Sequence, residues 1–173
     1  MDVKYILDSN VDNELDLKLR TLLSTCFVGA HNARFKTQRY YNQLPQHRWY
    51  ILGDQDEVVA HIALHERTVN VNDKVIAIGG VSEVCVLPAY RGQGLVHLLL
   101  KHLHEKQKAL GMAFSVLFGE TEVYGSTGYQ KVENLHLMAE SGEWGIGDKV
   151  MVLAVNAKEK WPSGEVYLDG AYF

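Results

Sequence analysis

With two cysteines and three prolines in 173 residues, the chain has few covalent staples and few helix breakers. Two thiols make no disulfide framework. Cys26 (Thr-Cys-Phe-Val) and Cys85 (Val-Cys-Val-Leu) both sit in apolar surroundings, where a cysteine behaves as a small core residue. No apolar run approaches the ~20 residues that span a membrane. The start, Met1-Asp2-Val3-Lys4-Tyr5, has no basic-then-apolar leader. A reduced, cytoplasmic, non-membrane protein is expected. Positive charge is also scarce. Seventeen Lys and Arg against 21 Asp and Glu leave a net −4, which excludes a global basic face for nucleic acid. Repeats and low-complexity segments are absent, and fifteen Gly beside so few Pro argue against disorder. The remainder, 47% hydrophobic and 22% charged, is an ordinary globular composition long enough for one domain over 1–173.

Hydrophobic periodicity supplies the elements. A β-rich stretch at 3–7 precedes a polar cluster, Asp8 to Asp12, that can cap a helix. Leu15, Leu19, Leu22, Leu23 and Cys26 then share one helical face. A second, polar helix is expected over 33–43, ended by Pro45. Strands are expected over 48–52, 58–71 and 74–87, with turns at Gly53–Asp56 and Asn70–Asp73. Gly79-Gly80 inside the third strand points to a bulge or a close backbone approach. Leucines at helical spacing mark 93–110, closed by Gly111. A buried strand at 113–118, a helical turn at 120–125 and strands at 129–139 and 148–155 complete a mixed α/β order.

The informative segment is Val84-Cys-Val-Leu-Pro-Ala-Tyr-Arg-Gly-Gln-Gly-Leu-Val96. A strand runs into a glycine turn that opens directly into a leucine-striped helix. Glycines let backbone approach a ligand, and the first helical amides lack intrahelical acceptors. With the helix dipole they suit a pyrophosphate. A dinucleotide fingerprint needs a third glycine where His97 stands, and a P-loop needs a Gly-Lys-Ser/Thr that is missing.

Together with Val123-Tyr-Gly-Ser-Thr-Gly-Tyr129, this segment resembles the GNAT N-acetyltransferase superfamily, whose signature Arg/Gln-x-x-Gly-x-Gly/Ala here reads Arg91-Gly92-Gln93-Gly94-Leu95-Val96. The resemblance extends over about 3–155 through the order of elements. It implies the GNAT fold, an α/β (α+β) architecture with a mixed, mostly antiparallel central sheet flanked by helices and splayed at the cofactor strand. It also implies acetyl-CoA as acyl donor, with Arg91, Gly92, Gln93, Gly94, Leu95 and Val96 at the pyrophosphate. Val84 and Val86 would lie along pantetheine, and a backbone amide near Val86 would face the thioester carbonyl oxygen. Val96 stands where the family has Gly or Ala and adds bulk. The segment Tyr124–Tyr129 also resembles that of the enhanced-intracellular-survival acetyltransferases, which tolerate a larger residue there.

The same resemblance makes Tyr124 the acid that reprotonates the departing thiolate, and leaves Tyr129 as core. Glu83, in the cofactor strand, is either the base that takes the amine proton or an ordinary partnered carboxylate. The implied reaction is direct acetyl transfer to a primary amine, of a small molecule or of a peptide N-terminus or lysine. Long-chain transfer of the nodulation type is an alternative, prompted by the C-terminal Trp161-Pro-Ser-Gly-Glu-Val-Tyr segment. A catalytically silent acyl-CoA-binding module is another, prompted by Val96. A homodimer through terminal strands is an expectation of the fold. The strand and loop over 131–149, with Glu143, Trp144 and Asp148, are places where the acceptor could be read.

Two other patterns carry less. His61 and His65, four apart on a strand, stand about 13 Å apart, His102 and His104 diverge on a helix, and no zinc spacing results. Arg34, Lys36, Arg39 and Arg48, interleaved with Phe35, Tyr40, Tyr41 and Trp49, mimic a nucleic-acid patch but read better as an amphipathic wall of the acceptor groove.

Overall fold

The computed structural model describes residues 1–173. Strand β1 (Val3–Leu7) leads to helix α1 (Asn13–Cys26). Of the polar cluster before the helix, Asp12 is the cap: its Oδ1 accepts from Leu15 N at 2.8 Å. The helix buries Leu19, Leu22 and Leu23, the expected stripe.

The expected helix over 33–43 does not form. A 3-10 segment spans Ala30–Lys36 and turns follow. Side chains instead bind carbonyls along the segment and hold it in a non-helical path. Gln38 Nε2 donates to the Tyr40 and Tyr41 carbonyls at 2.8 and 3.1 Å, and Arg34 Nη1 reaches the Tyr41 carbonyl at 2.8 Å. Arg48 Nη2 donates to the Arg39 carbonyl at 2.9 Å. Local polar competition of this kind outweighs a weak helical period.

Strands β2 (His47–Leu52), β3 (Val58–Val71) and β4 (Lys74–Val86) follow. Asn72 and Asp73, at φ 46 and 63, provide the two left-handed positions of a tight β3–β4 hairpin. Next come α2 (Leu95–Ala109), β5 (Phe114–Phe118) and the single turn α3 (Thr121–Tyr124). The expected strand over 129–139 divides into β6 (Gln130–Lys131) and β7 (Leu135–Met138). Then come β8 (Trp144–Ile146), β9 (Val150–Ala154) and β10 (Val166–Leu168). The three-residue strands β8 and β10 are too short to show a period.

Two compact units divide the chain. The first comprises Met1–His65 with Ser82–Leu103, the second Glu66–Val81 with His104–Phe173. In the first, β1, β2 and β3 form antiparallel ladders, with Tyr5 opposite Trp49 and Trp49 opposite Ile62. Leu19, Leu22, Leu23, Phe35, Val58 and Cys85 make its core.

In the second, strand order is β6-β9-β5-β4-β3-β10-β7-β8, with β4 parallel to β5 and β10 parallel to β7. The β4–β5 ladder runs from Ile78 opposite Phe114 to Val81 opposite Leu117. Its core gathers Ile78, Phe114, Val116, Leu135, Val150 and Phe173 among others. Gly80 marks a close approach rather than a bulge, since a Cβ there would stand 2.5 Å from the Phe173 ring. The backbone departure in β4 falls instead at Glu83, with φ 54. The architecture is thus a mixed, mostly antiparallel sheet with helices, as the motif reading implied.

Candidate active site

The glycine turn and the start of α2 belong to the first unit. Gly92 and Gly94 adopt φ +76 and +74, a region that favours glycine, and a Cβ on either would meet nothing within 4 Å. Conformation, not crowding, requires these glycines, and their backbone faces open space. The Gly94 carbonyl accepts the first helical bond from Leu98 N at 3.0 Å. Gly94 is therefore the helix cap and has no side chain to offer the amides of Leu95, Val96 and His97. Arg91, Gly92, Gln93 and Gly94 are exposed, while Leu95, Leu99, Leu100 and Leu103 hold the helix down. A shallow turn of free amides with an exposed guanidinium beside it fits a pyrophosphate.

Arg91 is tied to β4. Its Nε donates to the Val86 carbonyl at 3.2 Å, and Cys26 Sγ donates to the same oxygen at 3.5 Å. Leu87 N pairs with the Val59 carbonyl at 2.8 Å, so the strand end stays anchored to β3. Val86 is buried and Val84 half-buried.

Glu83 lies in a sealed polar network. One oxygen accepts from Tyr41 N at 3.0 Å and the other from Arg48 Nη1 at 3.0 Å. Arg48, fully buried, also pairs with Asp8 at 2.6 Å. Asp8 in turn meets Arg39 at 2.7 Å, and Arg39 reaches Asp16 at 3.0 Å. His61 Nδ1 donates to the Glu83 carbonyl at 3.0 Å, leaving Nε2 to accept from Arg48 at 3.1 Å. Burial pushes the Glu83 carboxyl up while Arg48 and the Tyr41 amide pull it down, and the net direction is up. Burial drives the His61 imidazole down to about 3, so it is neutral. For Asp8, burial is outweighed by Arg39 and Arg48, and its carboxyl lies below the usual value.

Tyr124 belongs to the second unit. It ends α3, and its ring edge occupies the space above Gly119, where a Cβ would stand 2.5 Å away. The ring meets Tyr129 edge-on, with centroids 6.3 Å apart. Tyr129 is core, as its motif position implied. Its buried hydroxyl lies 2.5 Å from Ser115 Oγ and 3.0 Å from His104 Nε2, and burial pushes it up.

His61 and His65 are internal, and the arginines of the basic–aromatic segment are half-buried or buried. His61 and His65 are both buried on β3, His65 Nε2 meeting Ser82 Oγ at 3.0 Å. Arg39 and Arg48 turn inward to carboxylates, and Arg34 lies over the Tyr41 ring at 4.2 Å. The network partners Arg48, Asp8 and His61 carried no sequence signal as a set, because they lie on three separate segments. Their one hint was Arg48 and His61, two polar residues in apolar strand contexts. No helix is long and apolar enough to cross a membrane.

Residues 13–132, well over half the chain, match the sequence model of the acetyltransferase (GNAT) domain. No curated protein is significantly similar in sequence. A GNAT family N-acetyltransferase (YhbS) of Escherichia coli, solved in complex with CoA, superposes with a TM-score of 0.68 at 18% identity, covering 96% of this chain and 89% of that one. A GNAT family acetyltransferase of Brucella melitensis, in complex with acetyl-CoA, gives 0.65 at 18% identity over 99% and 96%. Eis1 of Mycobacterium abscessus gives 0.61 at 13% identity, matching 77% of this chain but 33% of its own. At these identities the structural likenesses speak to fold. The domain match carries the assignment, and the chain belongs to the GNAT acetyltransferase family.

Proposed function

We propose that the chain, as one domain over 1–173, transfers an acetyl group directly from acetyl-CoA to a primary amine. The observation that carries this reading is the Arg91–Val96 turn, with two left-handed glycines open to solvent and a helix capped by a residue without a side chain. The CoA and acetyl-CoA complexes of the E. coli and Brucella structures, which share the fold, support the choice of donor. The donor supplies an acyl group activated as a thioester.

In this reading the amides of Leu95, Val96 and His97 and the Arg91 guanidinium hold the pyrophosphate. Val84 and Val86 line the pantetheine arm, and a backbone amide near Val86 faces the carbonyl oxygen as charge develops there. Tyr124 donates the proton that the departing thiolate needs. Of the two sequence readings of Glu83, the geometry favours the partnered carboxylate. Both its oxygens are taken and its side chain is 2% exposed. Glu83 is therefore a positioning residue that holds the bend in β4, and the amine attacks in its neutral form. The acceptor is an amine of a small molecule or of a peptide.

Thermal stabilisation of the chain by acetyl-CoA and by a long-chain acyl-CoA tests the donor. Stronger stabilisation by acetyl-CoA is expected. Stronger stabilisation by the long chain would favour the nodulation-type reading, and no response to either would remove the acyl-CoA assignment.

A further inference from the structure

Cys26 and Cys85 are the only thiols in the chain, and both pack into the same core cluster. Cys26 ends α1, Cys85 stands one residue before the end of β4, and Cys26 Sγ lies 3.5 Å from the carbonyl oxygen of Val86, the residue next to Cys85. Both pack with Leu19, Leu22, Leu23, Phe35 and Val58. The acyl-transfer chemistry uses neither.

The two sulfurs are unlike. Cys85 is buried, and burial pushes its thiol well up. Cys26 is half-buried. The Cys85 thiol, and after it the Arg91 charge, hold its thiol below the ordinary value against the effect of burial. A reachable sulfur inclined to ionise, packed in one cluster with a shielded thiol, is the arrangement of an attacking and a resolving cysteine. Cys26 Sγ is also joined to the cofactor turn. The Val86 carbonyl that accepts from it at 3.5 Å accepts from Arg91 Nε at 3.2 Å.

We propose that Cys26 and Cys85 are an oxidisable dithiol, closed to a disulfide by a hydroperoxide, and that closure weakens binding at the Arg91 turn. The Cys26 thiolate attacks the peroxide oxygen, the O–O bond breaks, and Cys26 becomes a sulfenic acid as an alcohol or water departs. The Cys85 sulfur then attacks the Cys26 sulfur, and the sulfenic hydroxyl leaves as water with the Cys85 proton. Two thiols and one peroxide give one disulfide, one alcohol and one water, with the two sulfurs losing the two electrons that the peroxide gains. A disulfide needs its sulfurs at about 2.05 Å, so Cys26 Sγ must leave the Val86 carbonyl and draw the last turn of α1 with it. The effect on binding rests on the reading that Val86 and Arg91 hold the acyl donor. The cross-link does not.

The test uses the full chain, reduced and then treated with hydrogen peroxide, beside Cys26→Ser. Non-reducing peptide mapping reads the cross-link, and calorimetric titration with CoA reads the affinity. The expected result is a peptide joining residues 26 and 85, a CoA Kd raised about tenfold, recovery with dithiothreitol, and neither change in Cys26→Ser. Oxidation of Cys26 to sulfinic acid with Cys85 still a thiol would overturn the dithiol. A cross-link that leaves the CoA Kd unchanged would overturn its coupling to the turn. If the reduced chain fails to bind CoA, the acyl-donor reading and the coupling fall together, while the peptide map still decides the dithiol.

Discussion

Arg48 Nη1 lies 3.0 Å from Glu83 Oε2, with the arginine side chain 0% and the glutamate 2% exposed. This pair holds together segments far apart in sequence, because the same guanidinium also meets Asp8, the His61 imidazole and the Arg39 carbonyl. Glu83 is also the residue where β4 departs from regular strand conformation, with φ 54, eight positions before Arg91.

Breaking this pair from either side is expected to be costly. Arg48→Met leaves Glu83 buried without its counter-charge and Asp8 with Arg39 alone, and urea unfolding should show a loss of about 3–5 kcal/mol. Glu83→Gln should lower stability while leaving the shape of the pH profile of kcat/KM intact. Disappearance of its acidic limb would make Glu83 the base instead.

Acid should remove the contribution of Asp8. Its folded pKa lies below the ordinary 3.8, so on acidification the unfolded chain takes up the proton first. The stabilisation is whole above about pH 5 and is lost as the pH falls through 3.8 and below. Asp8→Asn should therefore be clearly less stable than the native chain at pH 7, with a deficit that shrinks as the pH is lowered to 3, by urea unfolding at each pH. An equal deficit at both would contradict the ion pairing.

Tyr124 can be tested directly and through its seat. Tyr124→Phe should lower kcat about 100-fold with little change in CoA affinity. Gly119→Ala places a methyl 2.5 Å from the Tyr124 ring, must move it, and should lower kcat in the same sense. Steady-state kinetics with calorimetric CoA titration separates these outcomes, and an unchanged kcat in Tyr124→Phe would take this hydroxyl out of the reaction.

Val96, half-buried in the first turn of α2, carries bulk where a phosphate would approach. Val96→Ala should tighten CoA binding and also favours the helix slightly. Weaker binding would show that the valine packs usefully as it stands.

Much of this was legible in the sequence for local reasons. The stripe Leu19, Leu22 and Leu23, the β3–β4 hairpin at Asn72-Asp73 and the turn at Gly92 and Gly94 are each written within a few adjacent residues. The segment 33–43 misled because its outcome depends on Gln38, Arg34 and Arg48 reaching carbonyls, which a periodicity count ignores. Strand β10 was invisible because its pairing with Asn70 and His136 is long-range. The packing of Cys26 into the cluster of Cys85 likewise exists only once α1 lies against β4.

The central claim is acyl transfer to an amine, and release of free thiol from acetyl-CoA across a panel of primary amines and lysine peptides measures it most directly. The account requires release that depends on at least one acceptor and falls sharply in Tyr124→Phe. Binding of acetyl-CoA with thiol release equal in the presence and absence of every acceptor would contradict it and leave an acyl-CoA-binding module.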